Sequence, residues 1–334
     1  MYTVDIIGAS GVVGQELLQL LEQRKFPIKA IHCFASSRSV GKSVTFNGEK
    51  ISLETLKSTS FKGVDFAFFC AGKTVSKAYA PIAVNSGTIV LDNSSAFRMN
   101  DQVPLVIPEV NRHALFSHRG LIASPNCTAT ILLMALAPLH RKFKIRRIVA
   151  ATYQAASGAG GRAMYELEQE SRAFLDRRPL QRSVMPHPYA FNLFTHNASM
   201  TPSGYNEEEL KVIQESRKIL EEPSLRMAVT CVRVPVMRAH SEALNVEFET
   251  PVNPSDAKEI LKEAPGVILL EDWENNRFPM PTDANGKAEI FVGRIRQDLS
   301  HPNTLDLWVV GDQLLKGAAL NTIQLAEEVI SLTR

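Results

Sequence analysis

The sequence predicts an α/β protein in two parts, a parallel-sheet domain followed by an α+β domain, on three observations. The chain has 334 residues, room for about two domains at roughly 150 residues each. A turn spaced Gly8-x-x-Gly11-x-x-Gly14 lies between an apolar run and an amphipathic one, the setting of a strand–helix–strand unit. Near Arg146 the texture changes from alternating strands and helices to strands with few helices between them.

In order, residues 2–7 read as a first strand, and 15–25 as a helix with Leu17, Leu18, Leu20 and Leu21 on its apolar face. A second strand is expected at 29–35. Strands at 65–70 and 88–92 flank a helix at 75–85, residues 121–123 form the last strand of this unit, and 128–142 the helix after it. In the second part, 148–152 is a strand, 158–161 a loop, 162–175 a helix, 179–202 irregular, and 207–220 an amphipathic helix. Strands at 226–234, 243–250, 267–270 and 305–310, with a helix at 255–263, predict a largely antiparallel sheet. A long amphipathic helix, 317–332, is expected to return to the first domain.

Composition narrows the class. Lys and Arg total 37 against 35 Asp and Glu, a net charge of +2, with 45% hydrophobic and 22% charged residues. Disorder would need fewer apolar residues and more imbalance, and a nucleic-acid binder a basic excess. The longest apolar stretch, 128–139, is shorter than the roughly 20 residues that span a bilayer. Met1 to Asp5 leads straight into a strand without the features of a signal peptide, so a cytoplasmic protein with neither a nucleic-acid nor a membrane partner is expected. Cys33, Cys70, Cys127 and Cys231 form no C-x-x-C pair, which argues against a metal site. The first two and Cys231 read as small buried hydrophobes.

Two segments carry chemistry. The glycine turn fits a Rossmann-type dinucleotide site, in which backbone N–H groups at a helix start receive a pyrophosphate. After the second strand, where an NAD-preferring fold places an acid, stand Ser36, Ser37 and Arg38. Donors without an acid suit a ribose phosphate, hence NADP. Ser124-Pro125-Asn126-Cys127-Thr128 follows a short strand and opens an apolar helix. A thiol at a helix start feels the positive end of the dipole, which favours the thiolate nucleophile. Asn126 could polarise a carbonyl oxygen or cap the helix.

That last run resembles the active-site motif of the aspartate-semialdehyde dehydrogenases. So do the glycine turn, Asp92-Asn93-Ser94-Ser95-Ala96-Phe97-Arg98, Val106-Ile107-Pro108-Glu109-Val110-Asn111, Tyr153 to Gly160, and Arg233-Val234-Pro235-Val236 with His240. The matches run in order through nearly the whole chain. The resemblance implies Cys127 as acyl-thioester nucleophile and His240 as acid/base. It makes Gln154, Arg233, Glu208 and Asn126 substrate-binding, with Arg233 on the carboxylate, and Arg98 and Lys211 phosphate-binding. It further implies cofactor contacts at Gly8, Ser10, Gly11, Val12, Val13, Ser157, Gly158 and Gln313, beside Ser36, Ser37 and Arg38. Glu207, Glu208 and Glu209 are consecutive, so the register there is open, and Glu208 with Lys211 could be an ordinary helical ion pair.

The implied organisation is an NADP-binding domain, 1–127, completed by a C-terminal helix at 313–334, and a catalytic and dimerisation domain, 128–312. The implied reaction is reversible reductive dephosphorylation of L-aspartyl-4-phosphate to L-aspartate-4-semialdehyde, with inorganic phosphate as co-substrate. It would be performed by a homodimer in the synthesis of lysine, threonine and methionine. The rivals are an N-acetyl-gamma-glutamyl-phosphate reductase-like enzyme, against which Asn126 speaks, and a non-catalytic paralogue, which would have little reason to keep both Cys127 and His240. Arg233 and His240 are seven apart and would face opposite ways on one straight strand, so a turn after Met237 is predicted.

Overall fold

The first strand, β1 (Tyr2–Ile7), is apolar along both faces except at Thr3 and Asp5, the mark of a strand covered on both sides. In the computed structural model, which describes residues 1–179 and 182–332, β1 lies at the centre of the first sheet. It turns into α1 (Val12–Gln23), which buries Leu17, Leu18 and Leu21. The helix begins three residues before the expected start, because two β-branched valines with weak helix preference form its first turn. Next come β2 (Ile28–Phe34), β3 (Ser43–Phe46), β4 (Glu49–Glu54), β5 (Phe66–Phe69), α2 (Lys73–Asn85), β6 (Ile89–Asp92), α3 (Pro108–Asn111) and β7 (Leu121–Ala123). The sheet order is β3-β4-β2-β1-β5-β6-β7, parallel except for the β3–β4 hairpin. The chain steps from β1 to β2 on one side and later to β5 on the other. The ends of β1 and β5 therefore form a topological switch point, where doubly wound sheets bind ligands.

The second sheet is built from α4 (Cys127–Phe143), β8 (Ile145–Gln154), α5 (Gly161–Leu175), β9 (Phe194–Thr195), α6 (Glu207–Ile219), β10 (Arg226–Arg233), β11 (His240–Phe248), α7 (Pro254–Lys262), β12 (Val267–Leu269), α8 (Pro281–Ala284), β13 (Ile290–Gln297) and β14 (Thr304–Gly311). Its order is β12-β13-β14-β11-β8-β10-β9. The sheet is largely antiparallel, as expected, with β10 running parallel to β8 and β12 to β13. Helix α4 is apolar nearly all round and buries twelve residues, as a helix packed on several sides must. A short β9 interrupts the stretch expected to be irregular, of which residues 180 and 181 lie outside the described residues. The last helix, α9 (Leu320–Leu332), packs on α1 and α3 and joins the core of the first sheet through Ile323, Ala326 and Val329.

The chain thus forms two units, Met1–Asn126 with Ala318 onward, and Cys127–Gly317. Both borders differ from the expected ones: Cys127 opens the second unit, and the return comes at 318 rather than 313. Polar contacts hold the intervening residues to the second unit. Arg238 pairs with buried Asp312 at 2.7 Å, the Gly286 N–H donates to Asp312, and the Ala239 N–H donates to Gln313 Oε1. Residues 333 and 334 of the expected C-terminal segment lie outside the described residues.

Candidate active site

Strand register assembles the site in the second unit. Gln154 ends β8 and pairs directly with Arg233, which ends the parallel neighbour β10. His240 begins β11, the antiparallel neighbour on the other side of β8, where Ser241 faces Tyr153. Residues 234–239 form the connection, so the chain leaves the sheet at Arg233 and re-enters at His240. This is the turn the seven-residue offset required. It brings both side chains against one backbone: a Cβ added to Gly158 would stand 2.9 Å from the His240 ring and 3.1 Å from Arg233 Nη1. Gly158 is thus a glycine because two functional groups occupy the space a side chain would fill.

Cys127, at the first position of α4, is half-buried. The next residue, Thr128, accepts a hydrogen bond from Gln154 Nε2 at 3.1 Å, which ties the start of α4 to the sheet end. Gly317 approaches from the far side, where an added Cβ would lie 2.9 Å from Cys127 Cβ. Sequence reasoning did not single out Gly317. The other three cysteine thiols are pushed up by burial, those of Cys33 and Cys70 to about 12, as suits inert core residues.

The three consecutive glutamates are distinguished by geometry. Glu207 is exposed. Glu209 is spent structurally, closing a capping box with Asn206 and accepting the Cys231 N–H at 3.0 Å. Glu208 is buried and meets Gln154 Nε2 at 3.4 Å through one oxygen and Lys211 Nζ at 3.4 Å through the other. Glu208 and Lys211 thus form the helical ion pair, and Glu208 also reaches Gln154. Ser157 and Gln313 are hydrogen-bonded to one another and buried.

His240 is fully buried, and its Nδ1 lies 3.0 Å from the Ala155 N–H. A backbone N–H can only donate, so Nδ1 holds the lone pair and a neutral ring carries its proton on Nε2. Nε2 is buried and has no hydrogen-bond partner among the described residues. Burial, and then the charge of Arg233, push the pKa down to about 3, so the ring stays neutral. Arg233 is 4% exposed. Its Nη1 donates to the Ala155 carbonyl at 3.3 Å, its Nη2 lies 2.7 Å from Nε2 of His196, and its buried Nε has no acceptor among the described residues. Among the described residues no carboxylate forms an ion pair with it. His196 was not singled out in the sequence, since a lone histidine in an irregular stretch carries no pattern.

In the first unit, Gly8 has φ +97° and an added Cβ would strike the Cys70 backbone at 2.8 Å. Gly11 caps α1 without a side-chain bond, which leaves the N–H groups of Val12 and Val13 facing outward as an anion cradle. This is a fit for a dinucleotide pyrophosphate. Ser10 is exposed on the turn, and Ser36, Ser37 and Arg38 lie exposed where β2 ends. Arg98 is 7% exposed and donates to the carbonyls of Ser124 and Asn93 at 2.8 and 2.7 Å. Asn126 is buried. Among the described residues no cluster of His, Cys, Asp and Glu could hold a metal ion, and no helix is long and apolar enough to cross a membrane.

Comparison with known proteins agrees with this layout. Residues 3–118 match the family model described as "Semialdehyde dehydrogenase, NAD binding domain", and residues 136–316 the one described as "Semialdehyde dehydrogenase, dimerisation domain". Aspartate-semialdehyde dehydrogenase of Synechocystis sp. is 51% identical over 98% of this chain and 97% of its own length, and that of Bacillus subtilis 43% over 98% and 97%. The crystal structure of aspartate semialdehyde dehydrogenase II from Vibrio cholerae superposes with a TM-score of 0.96 at 37% identity, covering 99% of each chain. The same enzyme complexed with ASA also scores 0.96. The chain accordingly belongs to the aspartate-semialdehyde dehydrogenases, oxidoreductases of the semialdehyde dehydrogenase family.

Proposed function

We propose that the chain catalyses the reversible, NADP-dependent reductive dephosphorylation of L-aspartyl-4-phosphate to L-aspartate-4-semialdehyde, in the supply of lysine, threonine and methionine. The observation that carries the reading is Arg233, a buried guanidinium with no carboxylate partner among the described residues, at the sheet end where Gln154, His240 and the Cys127 helix meet. A buried charge left unpaired is costly, and a substrate carboxylate would pair it with bidentate geometry.

In the reductive direction the Cys127 thiolate bonds to the acyl carbon as the bond to phosphate breaks, giving a thioester and inorganic phosphate, which takes its proton from solvent. Gly8, Gly11, Val12 and Val13 would hold a nicotinamide dinucleotide, which when bound would provide hydride chemistry for the thioester in this direction and for the aldehyde in the other. The resulting thiohemiacetal collapses to the aldehyde and restores the thiolate. His240, with its proton on Nε2, is suited to donate a hydrogen bond to the substrate oxygen as that oxygen gains charge. This is the donor half of the acid/base role expected from sequence, because Nδ1 is occupied and the cationic ring is disfavoured. Gln154, tied to Thr128 and Glu208, is proposed to orient the thiol side of the pocket, and Glu208 to receive the substrate ammonium; their mutual hydrogen bonds support the reading. Asn126 is proposed to contact the carbonyl oxygen, and Arg98 and Lys211 to take the phosphate.

Gly8, Ser10, Gly11, Val12 and Val13 would hold the pyrophosphate side of the cofactor, and Ser157, Gly158 and Gln313 its nicotinamide side. Ser36, Ser37 and Arg38 would take the ribose phosphate, which favours NADP over NAD. We further propose a cytoplasmic homodimer formed through the second unit. The test is NADPH formation from aspartate semialdehyde, NADP and phosphate, with Cys127→Ala alongside. A phosphate-dependent rate that disappears in the variant is expected, and folded wild-type protein without a rate would overturn the reading.

A further inference from the structure

Arg233 has a second close neighbour in His196. His196 follows β9, whose Phe194 pairs with Arg233, and its own N–H donates to the Cys231 carbonyl at 2.8 Å. The backbone thus holds the imidazole beside the guanidinium. On one side of the ring Nε2 lies 2.7 Å from Arg233 Nη2, and on the other Nδ1 lies 3.1 Å from the Ala198 N–H. Both neighbours are donors that cannot accept, and a neutral imidazole has a single lone pair. One contact is therefore donor against donor. Protonating the ring would remove the remaining acceptor, and burial followed by the Arg233 charge holds its pKa down to about 4.

An anionic oxygen between Nε2 and Nη2 removes the conflict. The ring then keeps its lone pair on Nδ1 for the Ala198 N–H, and Nε2–H and the guanidinium donate together to the oxygen, with the unpartnered Arg233 Nε beside them. We infer that His196 is the second donor of the carboxylate site centred on Arg233, contacting the substrate's α-carboxylate through Nε2–H. The inference rests on the proposed substrate class and adds a residue to its recognition.

The experiment compares wild type with His196→Gln, His196→Leu and His196→Asp, using aspartate semialdehyde and 3-aminopropanal, an aldehyde of the same chain without the carboxylate. A lost hydrogen bond to a charged group corresponds to roughly a tenfold weakening or more. The Leu variant should raise KM for aspartate semialdehyde about tenfold with kcat little changed, and the Asp variant, which repels a carboxylate, should raise it about a hundredfold. The Gln variant, which keeps an N–H donor, should stay within about threefold. Turnover of 3-aminopropanal should be the same in all four. An unchanged KM in the Leu and Asp variants, or equal losses with both aldehydes, would overturn the inference.

Nitrogen-15 spectra of histidine-labelled wild type, with 2-aminobutyrate added as the carboxylate probe, read the ring without any variant. Movement of His196 to the Nε2–H form supports the inference, and an unchanged ring overturns it. Failure of wild type to turn over aspartate semialdehyde would instead strike the substrate reading, while the spectra still test the carboxylate site.

Discussion

At the scale of single residues, the second unit keeps two imidazoles neutral by burial and by one shared cation. The unfolded histidine has a pKa of about 6.5, whereas folding lowers His240 to about 3 and His196 to about 4. Below about pH 6.5 the unfolded chain binds more protons than the folded one, so stability falls with pH from there down to the folded values. Each ring contributes up to about 1.4 kcal/mol per pH unit in that window. Denaturant titrations between pH 7 and pH 5 should show the loss, and His240→Gln should reduce it. Glu242, two residues along β11 and fully buried with both oxygens unpartnered among the described residues, has the opposite sign. Burial raises its pKa well above the carboxylate range, so its destabilising effect grows as pH rises. Glu242→Gln should therefore stabilise the fold more at pH 8 than at pH 5. Gly158→Ala should leave the melting temperature within a few degrees yet lower kcat/KM about a hundredfold, the order expected when reacting groups are displaced by about an ångström.

At the scale of elements, the pocket depends on where strands stop. The capping box of α6 is one such control: Asn206→Ala should cost about 1 kcal/mol and raise KM for the aldehyde, since the first turn of that helix carries Glu208. At the end of β2, Arg38→Ala should raise KM for NADP roughly tenfold or more and leave NAD kinetics unchanged. Much of this was legible in the sequence. The apolar runs gave β1, β5 and β6, whose residues are buried on both faces, and the offset between Arg233 and His240 demanded the turn. The β3–β4 hairpin carries one legible signal, Asn47-Gly48, both at positive φ, a strong hairpin turn between strands too short to show periodicity. Strand β13 was hidden by its composition, with a glycine and two arginines among its apolar residues and a register shift beside Gly293. His196 was illegible because its meaning lies in what stands 2.7 Å away, and linear spacing does not report that.

At the scale of the whole molecule, one sheet face of the second unit stands open. Val149, Ala151, Ala243, Asn245 and Trp308 line a shallow cavity of about 470 Å³ on it, and the Tyr153 and Trp308 rings meet there at 5.5 Å. If this face joins two copies, as the proposed dimer requires, Ala151→Asp should shift sedimentation from dimer to monomer without unfolding the chain.

The first unit is built from two segments that flank the second in sequence, and this sets an order of assembly. Residues 127–317 are continuous and can fold as they leave the ribosome. The first sheet must wait, its α1 and α3 faces uncovered, until α9 has been synthesised. A chain truncated after Gly317 should therefore keep a protease-resistant second unit and lose the first. During synthesis the nucleotide-binding half is the vulnerable half, and the final thirteen residues of ordered helix act as the clasp that ends its exposure.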